Sequence, residues 1–414
     1  MSSDCGCDSS SGGLTPYPEA LKNILKTAKP VEETESVVLT DALHRVLAAP
    51  LVSGINVPPA NNSAMDGYAV NSADVSMSGE IRMEVSQRIP AGEVGTPLHR
   101  GTAARIFTGA PIPEGADVVI MQEHVNDEGN SIAFTGPYEP NTNIRFAGED
   151  IARGDEILSS GKQLRAQELG VAASIGSSRL EVFKRVRVGV FFTGDELVEP
   201  GRALGPGQIY DSNRYTIIGL LKSLGCDIVD LGIIGDTFEA TQQALQDASA
   251  RADLVITSGG VSVGEEDYVR TAVESLGKLD MWRVKIKPGK PLAFGEVNNT
   301  PFMGLPGNPV SVFVTFCLFV NPFIKKLQGM STTSSQSIPV QADFEWTAGN
   351  RREFVRAQLT RSQEGEAKAQ IYPHQGSGVL TSTCWSDGLV VIPEGHSVKP
   401  GDWVDYTAYS SMSN

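Results

Sequence analysis

Three stretches of this chain end in carboxylates, small hydroxyls and glycines. They are Thr193-Gly194-Asp195-Glu196, Gly235-Asp236-Thr237, and the run 258–267, which reads SGGVSVGEED. Carboxylates of this kind suit a hard divalent cation, and glycine amides at helix starts suit phosphate. Together they have the composition of a Mg²⁺-nucleotide site. Each also has a plainer reading. Asp236-Thr237 suits a helix cap, and Glu265-Glu266 suits a helix's first turn. SGGVSVG is not a Walker loop. A second cluster is basic: Arg283, Lys285, Lys287 and Lys290 fall in one short span. Two prolines and a glycine stiffen the turn Lys287-Pro288-Gly289-Lys290-Pro291. A fixed cationic cluster suits a compact oxyanion such as phosphate, sulfate or molybdate. The alternative is a solvated strand end. A third candidate, 304–309 (GLPGNP), brings Pro306 and Pro309 to the start of an apolar helix, where amides can approach a ligand.

These residues need elements to carry them. From 186 onward, apolar strand patterns alternate with helical ones. Strands are expected at 186–192, 226–234, 253–257, 281–286 and 291–294. Helices are expected at 212–224, 237–250, from about 267, and from 309. Such alternation argues a mostly parallel sheet with helices on both faces. In that architecture, ligands bind beyond the carboxyl ends of the strands, where the three acidic stretches fall. In the strand 281–286, Arg283 and Lys285 would share one face.

Around this unit lie other textures. Helical spacing runs over 18–29 and again over 39–47, with another helix at 165–173. Short β-branched runs at 81–85, 103–107, 118–121 and 131–134 alternate with Gly/Pro turns, which predicts a barrel- or sandwich-like module at 54–140. The run 331–337 is a polar linker, and 338–410 returns to short strands. The expected fold class is therefore multidomain α/β plus β.

The chain has 414 residues, 40% hydrophobic and 20% charged. At roughly 100–200 residues per domain, that length implies two to four domains. The formal charge is −15 (34 Lys+Arg against 49 Asp+Glu). Polyanions such as nucleic acid and anionic membranes are thus disfavoured as partners. Five cysteines form no disulfide framework, and Cys5-Gly6-Cys7 is too tight for paired zinc spacing. The start carries Asp4 and a Ser/Gly run, not a basic and apolar leader. The most apolar stretch, 310–320, falls short of the ~20 residues of a membrane span. A soluble cytoplasmic protein is expected, with 1–13 as a disordered tail.

Nine motifs in order carry a resemblance: SAMDGYAV, TGAPIPEGADVVI, NIRFAGEDI, TGDELVEPG, GQIYDSN, TSGGVSVGEEDY, KIKPGKPLAFG, GLPGNPVS and HQGSGVL. From about 14 to 410 the chain resembles the molybdopterin molybdenumtransferase family, the MoeA-type enzymes similar to the E domain of gephyrin. The resemblance implies a four-part, L-shaped subunit that dimerises. Its parts are an elongated mixed domain from 28–53 and 141–178, the β module 54–140, the α/β domain 179–330 completed by a helix at 14–27, and a C-terminal β-barrel module at 338–410. The implied reaction inserts molybdate into adenylylated molybdopterin and releases AMP, with Mg²⁺ as cofactor. A molybdopterin adenylyltransferase would act upstream, and apo-molybdoenzymes or carriers downstream.

The resemblance also implies site residues. Glu196, Asp236 and Asp267 match the acidic positions that serve nucleotide, metal and adenylate hydrolysis. Ser262, Lys287, Lys290, Ser311, Arg356 and Ser377 match positions associated with molybdate or the pterin phosphate, with Pro306 and Pro309 beside them. Arg283 stands where some members carry lysine. Asp66, Thr108, Arg145 and Asp150 match functional positions on the other modules, and Asp66 and Thr108 are expected to act across a dimer interface. One alternative is a gephyrin-like scaffold on the same fold without transferase activity.

Overall fold

The computed structural model describes residues 14–261, 268–361 and 365–413. Its centre is a six-stranded sheet. In spatial order the strands are Asp227–Ile234, Arg187–Thr193, Leu254–Ser258, Thr300–Leu305, Pro291–Val297 and Gly277–Arg283. The first four run parallel; Pro291–Val297 runs antiparallel to them, and Gly277–Arg283 pairs antiparallel with Pro291–Val297 at the edge. The strands Arg187–Thr193 and Leu254–Ser258 are buried along almost their whole length. That burial explains their continuous apolar runs, because helices cover both faces of the sheet. One face packs on Leu245, Ala248, Val269 and Val273. The other packs on Ile217, Leu221, Phe319 and Phe323, and on Ala20 and Ile24 of the helix Tyr17–Thr27.

Caps set the helix starts. The Asp211 side chain accepts from Arg214 N at 3.1 Å and opens the helix Ser212–Ser223. The Thr237 hydroxyl accepts from Ala240 N at 3.2 Å and opens Phe238–Ser249. Both satisfy backbone donors that a helix start leaves open. The apolar helix Pro309–Leu327 has 19 residues, long and apolar enough to cross a membrane, yet 89% of its apolar window is buried inside the protein. It is a core helix, longer than the apolar run in the sequence indicates because Asn321-Pro322 continues it.

Two sequence expectations fail here for identifiable reasons. The strand expected at 281–286 is divided. Its first part ends at Arg283 in the central sheet, and Ile286–Lys287 forms a separate strand. Val284 N donates to Lys290 O at 2.9 Å, closing the turn between them. Arg283 and Lys285 therefore do not share one strand face. The helix expected at 39–47 is only a 3-10 turn at Leu39–Asp41. His44 then takes a left-handed φ of 63°. Its amide donates to Leu164 O at 2.7 Å, and Val46 and Leu47 bridge to Gln163 and Val182. Long-range β pairing overrides local helical spacing at this place.

The C-terminal module is a closed five-stranded barrel of Ile338–Ala342, Arg352–Arg361, Ala367–Ile371, Gly388–Ile392 and Trp403–Ala408. The strand Arg352–Arg361 pairs with both Ala367–Ile371 and Gly388–Ile392, which completes the ring. Ile286–Lys287 adds to this barrel in parallel with Arg352 and Glu353. The basic turn is thus clamped between the two folds. The module around 54–140 is an open six-stranded sheet with its own core of Tyr68, Val118, Ile120 and Phe134.

Between them, Thr34–Val38 pairs antiparallel with Arg179–Phe183, and Leu51–Val52 with Glu156–Leu158. Two distant chain segments thus share the core of Leu47, Leu164, Ala172 and Val182. The pairing runs past residue 178 to Phe183. The helix Ala166–Ser174 is locked by a capping box, in which Arg165 N and Nη2 donate to Glu168 at 3.0 and 2.6 Å. These hydrogen bonds, chiefly those from the Arg165 side chain, hold the buried Glu168 carboxyl down at about 2, against 4.5 ordinarily. The folded value is depressed, so its stabilisation is complete above 4.5 and fades as pH falls toward 2. Glu168→Gln is expected to cost about 3 kcal/mol at pH 7 in urea unfolding. That difference from the parent should shrink as pH drops below about 4.5.

Candidate functional site

A cleft of about 700 Å³ opens at the carboxyl ends of the parallel strands. Thr193, Gly194, Glu196 and Asp236 form one wall. Thr193 Oγ1 donates to Asp236 Oδ1 at 2.8 Å, which fixes that carboxylate. The Glu196 carboxylate folds over Gly194, where a Cβ would stand 2.7 Å from its Oε2. Gly259 and Gly260 form the floor. At Gly259 φ is +100° and a Cβ would meet Thr193 O at 2.2 Å, so only glycine lets these strand ends approach.

The loop 306–309 closes a second side. Ser258 Oγ donates to Pro306 O at 2.9 Å, and Asn213 Nδ2 donates to Gly307 O at 2.7 Å. The DSN motif that caps a helix therefore also shapes this loop. Pro306, Pro309 and Ser311 line the cleft here. Opposite stand Lys287, Lys290 and Arg351, with Gln375, Gly376 and Ser377 from the C-terminal barrel. Val310 N donates to Ser377 O at 3.0 Å and ties the barrel loop to the start of the core helix. The cleft thus lies between two modules, acidic on the α/β side and basic where the modules meet.

Lys287 Nζ sits 3.2 Å from Glu353 Oε1. Glu353 is 3% exposed and also accepts from Trp346 Nε1 at 3.0 Å and Gly349 N at 3.1 Å. A buried carboxylate with three donors is a rigid anchor, so Lys287 is held at the cleft wall.

Several expected site residues lie elsewhere. Arg356 is 1% exposed and does not line the cleft. Its Nε donates to Ser382 Oγ at 3.1 Å and its Nη2 to Gly376 O at 3.2 Å. Burial pushes its guanidinium down to about 10. It stands behind the loop that carries Ser377. Arg283 is half-buried and outside the cleft lining. Ser262 and Asp267 lie outside the described residues.

Asp66, Thr108, Arg145 and Asp150 also lie away from this cleft, on the β module and its junction. Asp66 Oδ1 accepts from both Thr108 N and Thr108 Oγ1 at 2.8 Å, and these bonds hold its carboxyl below the usual range. Ile144–Arg145 pairs with Asn62–Ser63, and Ser63 N donates to Ala110 O at 2.9 Å. Three sequence motifs thus converge on one exposed end of that module, with Asp150 N bound to Val57 O nearby.

Sequence reasoning missed Arg351, Glu353, Gln375 and Asn213. The signal for Asn213 was its place in GQIYDSN. Arg351 and Glu353 gain meaning only through the pairing with Ile286–Lys287. A larger cleft of about 820 Å³ opens at the opposite, amino ends of the strands, beside Arg187, Asp227 and Asp253. Its Arg187–Asp253 and Lys184–Glu33 pairs satisfy one another.

The cleft suits a hard cation in part. Glu196 and Asp236 are oxygen donors, and Asp236 spends one oxygen on Thr193. Among the described residues no group of three or more His, Cys, Asp or Glu is close enough to hold a metal. The third expected carboxylate, Asp267, is not among them.

Comparison with known proteins agrees along the chain. Residues 15–176 match the MoeA N-terminal region (domain I and II), 189–326 a probable molybdopterin binding domain, and 339–409 the MoeA C-terminal region (domain IV). The molybdopterin molybdenumtransferase of Haemophilus influenzae is 40% identical over 389 residues, 92% of this chain and 95% of its own. That of Nostoc sp. is 41% identical over 317 residues, 75% of this chain and 73% of its own. The crystal structure of the molybdopterin biosynthesis MoeA protein from Pyrococcus horikoshii superposes with a TM-score of 0.83 at 31% identity, covering 96% of this chain and all of that one. The chain belongs to the MoeA-type molybdopterin molybdenumtransferases, transferases of molybdenum cofactor biosynthesis.

Proposed function

We propose that this protein inserts molybdate into adenylylated molybdopterin and releases AMP. The observation that carries this reading is the single cleft with Glu196 and Asp236 on one wall and Lys287 and Lys290 on the other. Both substrates are anions that repel each other, so an enzyme gains most by positioning them. Lys287, anchored by Glu353, and Lys290 hold the oxyanion. The amides of Gly259, Gly260, Gly307 and Asn308 would face the substrate's phosphates. Glu196, Asp236 and the expected Asp267 would hold Mg²⁺, which supplies charge to the phosphoanhydride that breaks. Ser311 and Ser377 offer hydroxyls between the two halves of the cleft.

The protein would act as a homodimer, with the Asp66–Thr108 cluster of one subunit closing the cleft of its partner. It would receive substrate from a molybdopterin adenylyltransferase and pass product to apo-molybdoenzymes or carriers. A reducing compartment, the cytoplasm, fits Cys226 and Cys317, which are free buried thiols pushed up to about 12 by burial.

Purified protein given adenylylated molybdopterin, Mg²⁺ and molybdate should release AMP, and chelating the metal should stop it. AMP release that ignores molybdate would refute the reading. The dimer arrangement has its own check. Asp66→Ala and Asp236→Asn variants, each inactive, are mixed and allowed to exchange subunits. If Asp66 serves the partner's cleft, half the dimers regain one intact site, and activity returns to about a quarter of wild type. If Asp66 serves its own subunit's cleft, mixing restores nothing.

A further inference from the structure

We propose that Arg351 is an oxyanion-binding residue of the cleft, taking a tetrahedral dianion beside Lys287 and Lys290. This inference rests on the transferase reading above. Arg351 lines the cleft directly before the barrel strand Arg352–Arg361. That strand pairs with Ile286–Lys287, so the register brings Arg351 to the base of the basic turn. Its Nη1 donates to Ile286 O at 3.2 Å. One donor is thereby fixed on backbone, which orients the planar guanidinium and leaves its other donors for a ligand.

Its neighbours have acidic partners of their own. Lys287 is paired with Glu353 and Arg352 with Glu394. Among the described residues, no carboxylate pairs with Arg351. A half-buried, oriented guanidinium with no counter-ion among the described residues, in a chain of net charge −15, leaves a positive charge for a ligand to meet. A dianion with tetrahedrally placed oxygens satisfies it, because the guanidinium fork binds two oxygens at once. Lysine at the same place would supply charge without the fork. Molybdate and the substrate's own phosphate share this chemistry.

The test uses the full-length protein and the variants Arg351→Ala, Arg351→Lys and Arg351→Gln. Molybdate alone is titrated into each by calorimetry. KM is then measured separately for molybdate and for adenylylated molybdopterin. Arg351→Ala should weaken molybdate binding about 10- to 100-fold and raise its KM in step, with kcat little changed. Arg351→Lys should fall between. Arg351→Gln keeps an N–H for Ile286 O without the charge, so it should bind as poorly as Ala while melting like wild type. If KM for adenylylated molybdopterin rises instead, and molybdate binding is unchanged, the bound oxyanion is the substrate's phosphate. If Arg351→Gln leaves both unchanged, Arg351 is only a strand anchor and the proposal fails. Wild-type protein that bound molybdate but released no AMP would refute the transferase reading and leave the calorimetric test of Arg351 standing.

Discussion

Asp236→Asn should lower molybdate-dependent AMP release by roughly 10²–10³-fold while leaving the fold intact. The substitution is nearly isosteric. The asparagine carbonyl still accepts from Thr193 Oγ1, which lies 2.8 Å from the carboxylate oxygen today. What disappears is one unit of negative charge on the acidic wall of the cleft. The cation that the wall would hold loses a ligand, and the leaving adenylate loses its counter-charge. Raising Mg²⁺ should recover part of the rate, because the defect is in metal affinity. A variant with wild-type turnover, or one rescued by no concentration of Mg²⁺, would place the metal elsewhere.

The second large effect is structural. Glu353→Ala should destabilise the protein by about 2–4 kcal/mol in urea unfolding. It strands Trp346 Nε1 and Gly349 N, and it frees Lys287 from the cleft wall. KM for molybdate should rise as well, because a mobile lysine loses more entropy on binding an anion. Glu353→Gln separates the two consequences. Its one oxygen can accept from the indole or from the Gly349 amide, which donate to different carboxylate oxygens, so only part of the stability should return. A Glu353→Ala variant as stable as wild type would mean that the junction between the barrel and the α/β domain is held by other contacts.

The sequence was most legible where local rules act alone. The buried strands of the central sheet show as apolar runs, and Asp211 and Thr237 sit where a helix start needs an acceptor. The placement of Glu196 and Asp236 then followed from the architecture, since parallel strands deliver their carboxyl ends to one edge. Legibility was lost where distant segments meet. Nothing in 34–38 announces its pairing with 179–183. Helical spacing over 39–47 is real, but the segment buries its apolar residues through bridges to residues more than a hundred positions away. KIKPGKP looks like one strand and its turn, whereas it leaves one sheet and joins another. Arg351 and Glu353 were silent for the same reason. Their neighbours in sequence belong to the barrel, and their work is done against Lys287 and Ile286. Arg356 shows the converse: the family resemblance implied a ligand contact, and the structure buries its guanidinium with Nη2 donating to Gly376 O, next to Ser377.

In the proposed reaction, loss of adenylate and capture of molybdenum occur in one cleft. The most direct measurement follows both in a single turnover, by quantifying AMP released and molybdenum retained on the pterin after protein removal. One molybdenum bound per AMP released, with both lost together in Asp236→Asn, is the predicted result. AMP released at the same rate without molybdate, or molybdenum captured without AMP release, would contradict it.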